Sequence, residues 1–196
     1  MISRLLFPGM VIALTGLTGC QTGKPLAMSV AATPTASGIQ HGDMLAPQRA
    51  AGQDIPALKG NEIVTIRTYE YVNKGGAEFS SRTEIEGVSC KLESDGYSAS
   101  IKTPAEVRVP DYGYASRPIS VSCNAAGYRT SFSNVTAINK SAEQRMASGS
   151  NGGLIGVVIM AAVNAGSDQK KDDFAYPPVN VTMNRIGCEK TKVRCR

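Results

Sequence analysis

Tryptophan is absent from this chain, and histidine occurs once, at His41. With a single imidazole in an Ala-, Thr- and Pro-rich stretch, a Ser-His-Asp triad, a Cys-His pair and imidazole-based metal sites are excluded in their usual forms. No Gly-Lys-Ser/Thr follows the glycines around Ser150, and neither G-x-G-x-x-G nor G-x-S-x-G occurs. The phosphate loop, the dinucleotide turn and the nucleophile elbow are therefore missing. No Cys-x-x-Cys pair suggests zinc. The formal net charge is +5, but no run of lysines and arginines concentrates it, which argues against nucleic acid as a partner. Neither a cofactor nor a metal is expected, and a non-catalytic role follows as the reading of choice.

What is present begins at the N-terminus. Arg4 is the only charge before residue 20, Leu5 to Leu17 is mostly apolar, and small residues follow. These are the parts of an export signal, and the apolar stretch is too short for the ~20 residues of a spanning helix. Leu17-Thr18-Gly19-Cys20 resembles the lipobox of bacterial lipoproteins. The resemblance implies cleavage before Cys20, so that residues 1–19 are a signal peptide, and acylation (palmitate-type chains) of the cysteine. Two or three chains, at ~0.8 kcal/mol per buried methylene, hold a protein on a membrane for practical purposes permanently. Gln21, where retained lipoproteins carry Asp, implies the outer membrane, facing the periplasm.

Setting Cys20 aside leaves Cys90, Cys123, Cys188 and Cys195, an even set suited to an oxidising compartment. Val88, Cys90 and Leu92 share one face of an alternating run, as do Ile119, Val121 and Cys123 of another. Both cysteines are thus expected on buried strand faces, joined by a bridge across the core, with Cys188–Cys195 closing a C-terminal loop.

Residues 20–60 are rich in Ala, Thr, Pro, Gly, Ser and Gln without an apolar period. This composition reads as a lipidated flexible tether spanning about 35 Å, with short pieces free to dock. Residues 61–196 carry period-two patterning over Glu62–Val72, Val88–Glu93, Tyr97–Ile101, Val107–Val109, Pro118–Asn124, Tyr128–Val135 and Val179–Met183. About seven short strands with turns between them, Asp95-Gly96 foremost, predict a mostly β fold, a single β-sandwich.

Val88-x-Cys90-x-Leu92, Gly96, Thr103-Pro104-Ala105-x-Val107-x-Val109, Ile119-x-Val121-x-Cys123 and Gly127-Tyr128 together resemble the PEGA-type β-module over residues 87–128. The tetrapeptide that names the module is absent. The resemblance implies a small β-domain of the cell envelope.

One region departs from the β pattern. Ser141–Met146 suits a turn or two of helix, and a Gly-rich apolar insertion follows. It includes Gly152, Gly153, Leu154, Ile155 and Gly156, and runs to Gly166. Three readings stand: a short helix or hairpin buried against the sandwich, a surface for self-association or partner docking through the Gly152/Gly156 small-residue step, and shallow insertion into lipid. A helix over Leu154–Ala165 would be about 18 Å long, short of the ~30 Å hydrocarbon core.

Glu84 and Glu86 share a strand face, as an acid–base pair would, but such pairs are ordinarily solvated. The N-x-S/T triplets at Asn134, Asn139 and Asn180 carry no weight behind a bacterial lipobox. The expected function is a lipid-anchored structural or interaction module with an envelope protein partner or self-association. The alternative is small-ligand or glycan binding on a face bearing Tyr69, Tyr71, Tyr97, Tyr112, Tyr114 and Tyr128.

Overall fold

The computed structural model describes residues 23–39, 42–72, 81–150 and 166–187, without the side chains of 149 and 150. Cys20, Cys188, Cys195 and the apolar segment with Gly152, Gly153, Leu154, Ile155 and Gly156 lie outside the described residues.

The longest strand shows why this chain makes sheets. In Gly60–Val72, β-branched and aromatic side chains alternate across the pleat. Val64, Ile66 and Thr68 turn inward and are fully buried, while Ile63, Arg67 and Tyr71 turn outward. The buried Thr68 hydroxyl is satisfied by the Ile85 carbonyl at 2.7 Å and by Thr103 Oγ1 at 2.6 Å.

In chain order the described strands are β1 (Met28–Ala31), β2 (Thr33–Pro34), β3 (Gly60–Val72), β4 (Ser81–Ile85), β5 (Ser89–Ser94) and β6 (Tyr97–Lys102). They continue with β7 (Ala105–Asp111), β8 (Ile119–Asn124), β9 (Ser131–Val135), β10 (Ile138–Asn139), β11 (Phe174–Ala175) and β12 (Val179–Thr182). Two α-helices are present among the described residues, α1 (Ala46–Ala50) and α2 (Lys140–Ser150). The expectation of a mostly β chain holds.

The first sheet runs β1-β7-β3-β12, with β4 also paired to β3. Its outer pairs, β1 with β7 and β12 with β3, are parallel, and β3 is antiparallel to β7 and β4. The second sheet runs β2-β6-β5-β8-β9 and is antiparallel throughout. β10 and β11 form a separate ribbon. One apolar core takes Val64, Ile66, Val107, Val109, Val179 and Val181 from the first sheet. From the second it takes Cys90, Leu92, Tyr97, Ile101, Ile119, Val121 and Cys123.

The β5–β6 hairpin turns at Asp95-Gly96, with Ser94 opposite Tyr97. Gly96 sits at φ +89°, and a Cβ there would stand 3.2 Å from both Leu45 Cδ2 and the Met44 carbonyl oxygen. Conformation and close approach both require glycine at this turn.

Two sequence expectations need correction. The stretch read as a flexible tether is largely part of the fold. β1 completes one edge of the first sheet and β2 one edge of the second, with buried Ala32 between them. Met44 is buried against the main core, and Leu45, Ile55 and Tyr112 form a small second core. The Tyr112 hydroxyl donates to Asp43 Oδ1 and accepts from the Leu45 N–H, each at 2.9 Å. The disulfide Cys90–Cys123 is present, but it does not cross the core. The cysteines are direct register partners on neighbouring strands β5 and β8, with Cα atoms 4.1 Å apart.

Candidate functional site

Near the start of the described residues, the backbone is fixed against the outer face of the first sheet. The Lys24 N–H donates to Glu84 Oε2 at 3.1 Å, and its carbonyl accepts from Arg67 Nη1 at 2.9 Å. Arg67 also reaches Glu84 Oε1 at 2.6 Å, and Lys24 Nζ pairs with Glu86 Oε1 at 2.6 Å. Glu84 and Glu86 are therefore anchors for the N-terminal segment. Their partner Lys24 is distant in sequence, so the spacing of the two acids carried no sign of this role. Arg82 lies over the Tyr69 ring, 3.5 Å from its centroid, on the same face.

The outer face of the second sheet has a different chemistry. Outward side chains of β6, β5 and β8 line up in rows, Lys102–Ser89–Asn124 and then Ser100–Lys91–Ser122. These residues line an open groove of about 530 Å³ that Met28 bounds on one side. Its size lies within the range of small-molecule sites. Lys91 Nζ pairs with Glu93 at 2.6 Å in the next row. Phe132, opposite Ser122 on β9, is 70% exposed at the rim of this face. The exposed lining is mostly apolar, with hydroxyls and lysines around it, which suits a small guest that is part apolar and part polar.

A third cluster braces both flanks of the apolar segment 151–165. Asn139 caps α2 by accepting from the Ala142 N–H at 2.8 Å, and its Nδ2 donates to Asp172 Oδ2 at 2.7 Å. Arg145, on α2, donates from Nη1 and Nη2 to the two oxygens of Asp172 at 2.9 and 2.7 Å. Lys59 Nζ donates to the Asp172 carbonyl at 3.3 Å. The Arg145 fork and the Asn139 amide hold the Asp172 carboxyl well down, to about 2. The chain thus leaves and returns through one ion-paired stem. α2 is longer than the one or two turns read from Ser141–Met146.

The tyrosines do not gather on one face. Tyr97 and Tyr112 are buried in the two cores, and burial lifts both phenols, Tyr112 to about 12. Tyr128 donates to Glu70 at 2.9 Å, where Arg185 also binds that carboxylate at 2.7 and 2.9 Å. Tyr114 donates to Asp54 at 2.9 Å, beside Lys170. Only Tyr69 and Tyr71 share an outward row, that of β3.

Among the described residues, no three His, Cys, Asp or Glu side chains converge as metal ligands. Within the same residues, no helix is long and apolar enough to cross a membrane. No protein-family model, curated protein or solved structure matches the chain.

Proposed function

We propose that this chain is a lipid-anchored, non-catalytic module of the cell envelope, acylated at Cys20 and presenting its β-domain to an envelope protein partner. The observation that carries the reading is how close to the lipobox the chain is already held by the first sheet. Lys24 is already bound to Arg67, Glu84 and Glu86, four residues after the lipobox cysteine. A domain with described contacts so soon after an acylation site is suited to hang directly from it. The proposed place is the periplasmic side of the outer membrane, following Gln21, and the PEGA-like stretch 87–128 supplies most of the second sheet. No nucleic acid or cofactor enters this reading.

Replacing Cys20 by serine tests it. The native protein should sediment with membranes and carry acyl chains in its intact mass, while C20S should accumulate as an uncleaved, unlipidated precursor. Normal processing of the variant would overturn the anchor. In-cell cross-linking of the lipidated protein, read by mass spectrometry, should capture one envelope protein in near-stoichiometric amount. Recovery of this chain alone would replace the partner by self-association.

A second reading is favoured by the groove on the outer face of the second sheet, lined by Lys91, Lys102, Ser100 and Ser122. In this reading the module holds a small envelope ligand or glycan. Such a ligand at a hundredfold excess over its dissociation constant would add about 2.7 kcal/mol to the unfolding free energy. The absence of any stabilisation across glycans and small envelope metabolites would remove it.

A further inference from the structure

We infer that the outer face of the first sheet, along β3, lies against the lipid headgroups of the membrane that holds Cys20, while the outer face of the second sheet looks away from it. The inference rests on acylation of Cys20 as proposed above. Four peptide steps separate Cys20 from Lys24. An extended chain advances at most ~3.6 Å per residue, so the acylated residue lies within roughly 14 Å of Lys24. Lys24 is pinned to the outward side chains Arg67 and Glu84 of the first sheet. Packed sheets lie about 10 Å apart, and the outward side chains of each add to that depth. So short a reach does not carry round the domain to place the second sheet on the lipid.

The chemistry of the face agrees. Five large apolar side chains are exposed among the described residues, and three of them belong to this region: Ile63 at 55%, Tyr71 at 37%, and Leu26 at 40% beside Lys24. Tyr69 stands between Arg67 and Tyr71 in the outward row of β3, under the Arg82 guanidinium. Tyrosines, arginines and isolated aliphatic side chains suit the headgroup layer, where one end of a side chain meets hydrocarbon and the other meets water. The cations Lys24 and Arg67 are matched by Glu84 and Glu86. Contact therefore does not depend on a strong anionic surface, and the apposition should survive added salt.

The absence of tryptophan makes the test clean. Full-length lipidated protein carrying Ile63→Trp or Phe132→Trp would be placed in phosphatidylethanolamine/phosphatidylglycerol vesicles containing phospholipids brominated high on the acyl chains. Both positions are exposed, at 55% and 70%, and they lie on opposite sheets. Fluorescence of the Ile63→Trp protein should be quenched at least twofold more than that of the Phe132→Trp protein, at low and at physiological salt. Equal quenching, or stronger quenching at position 132, would overturn the inference. The intact mass of the same preparations reports acylation. A protein without acyl chains would fail the Cys20 reading instead, so the two failures are distinguishable.

Discussion

Breaking the Cys90–Cys123 bridge should cost about 4 kcal/mol of stability. The bridge closes a segment with a sequence separation of 33, which contains all of β6 and β7. On the chain-entropy argument, a loop of that length removes roughly 4 kcal/mol of freedom from the unfolded chain at 25 °C. The folded side of the balance changes little on reduction. Both sulfurs stay on the buried face of the second sheet, where Cys90 and Cys123 are 5% and 0% exposed. For a folded unit of this size, 1 kcal/mol moves the midpoint of thermal unfolding by about 2–4 °C, so the expected fall is about 8–16 °C. The assay is urea unfolding followed by far-UV circular dichroism, with and without dithiothreitol, in a Cys188→Ser/Cys195→Ser background that confines the effect to this pair. A Cys90→Ala/Cys123→Ala variant should lose more than the reduced protein, because two buried sulfurs also leave the core. A loss below about 1 kcal/mol on reduction would refute the reasoning, since the unfolded chain would then not be the state that the bridge constrains.

Two further predictions concern groups with shifted titration. Tyr112→Phe removes the acceptor of the buried Leu45 N–H and the donor to Asp43, which should cost about 1–3 kcal/mol in chemical denaturation. The phenol is raised to about 12, so its contribution is complete below about 10, the pKa of a free tyrosine, and is lost as pH rises toward 12. The Phe variant should lack that alkaline limb; an identical limb would locate the titrating group elsewhere. Asp172, held down to about 2 by Arg145 and Asn139, contributes stability above about 4, the unfolded carboxylate value, that disappears as pH falls toward 2. Asp172→Asn should flatten that part of the urea-midpoint profile, and an unchanged acid limb would count against the stem.

Each of the seven stretches with period-two patterning contains a strand, though residues 128–130 of one precede β9, because burial of one face imposes a rhythm that a linear reading detects. β1, β2, β4, β10 and β11 escaped it for a physical reason; β10 and β11 have two residues each, too few to show a period. β4, Ser-Arg-Thr-Glu-Ile, is a polar strand, and β1 and β2 are short edge strands in a composition otherwise typical of linkers. The segment around α1 is held by isolated burials at Met44, Leu45 and Ile55, too sparse to form a period. The cysteines show a second limit. Alternation identified the face on which each sulfur lies, but not which strand is its neighbour, so a lateral bridge within one sheet was read as a bridge across the core. At the candidate site the limit is distance along the chain. Glu84 and Glu86 were legible as a pair on one face, while Lys24 and Arg67, which give them their work, were not. Asn139 was legible only as part of a triplet, though its amide caps α2 and binds Asp172.

The parallel pairing of β12 with β3 has a consequence for the order in which the molecule can assemble. Residues 66–69 receive their partner on that edge only when residues 179–182 have emerged, near the end of the described chain. Until then, Ile66–Tyr69 offers an unpaired edge, the kind of surface that recruits strands from other molecules. Contacts between such remote segments also slow folding, because the intervening chain must be gathered before they form. A nascent chain is therefore obliged to wait with its central strand half-dressed. Any shielding of that edge by a chaperone would be superfluous once Val179–Thr182 arrives.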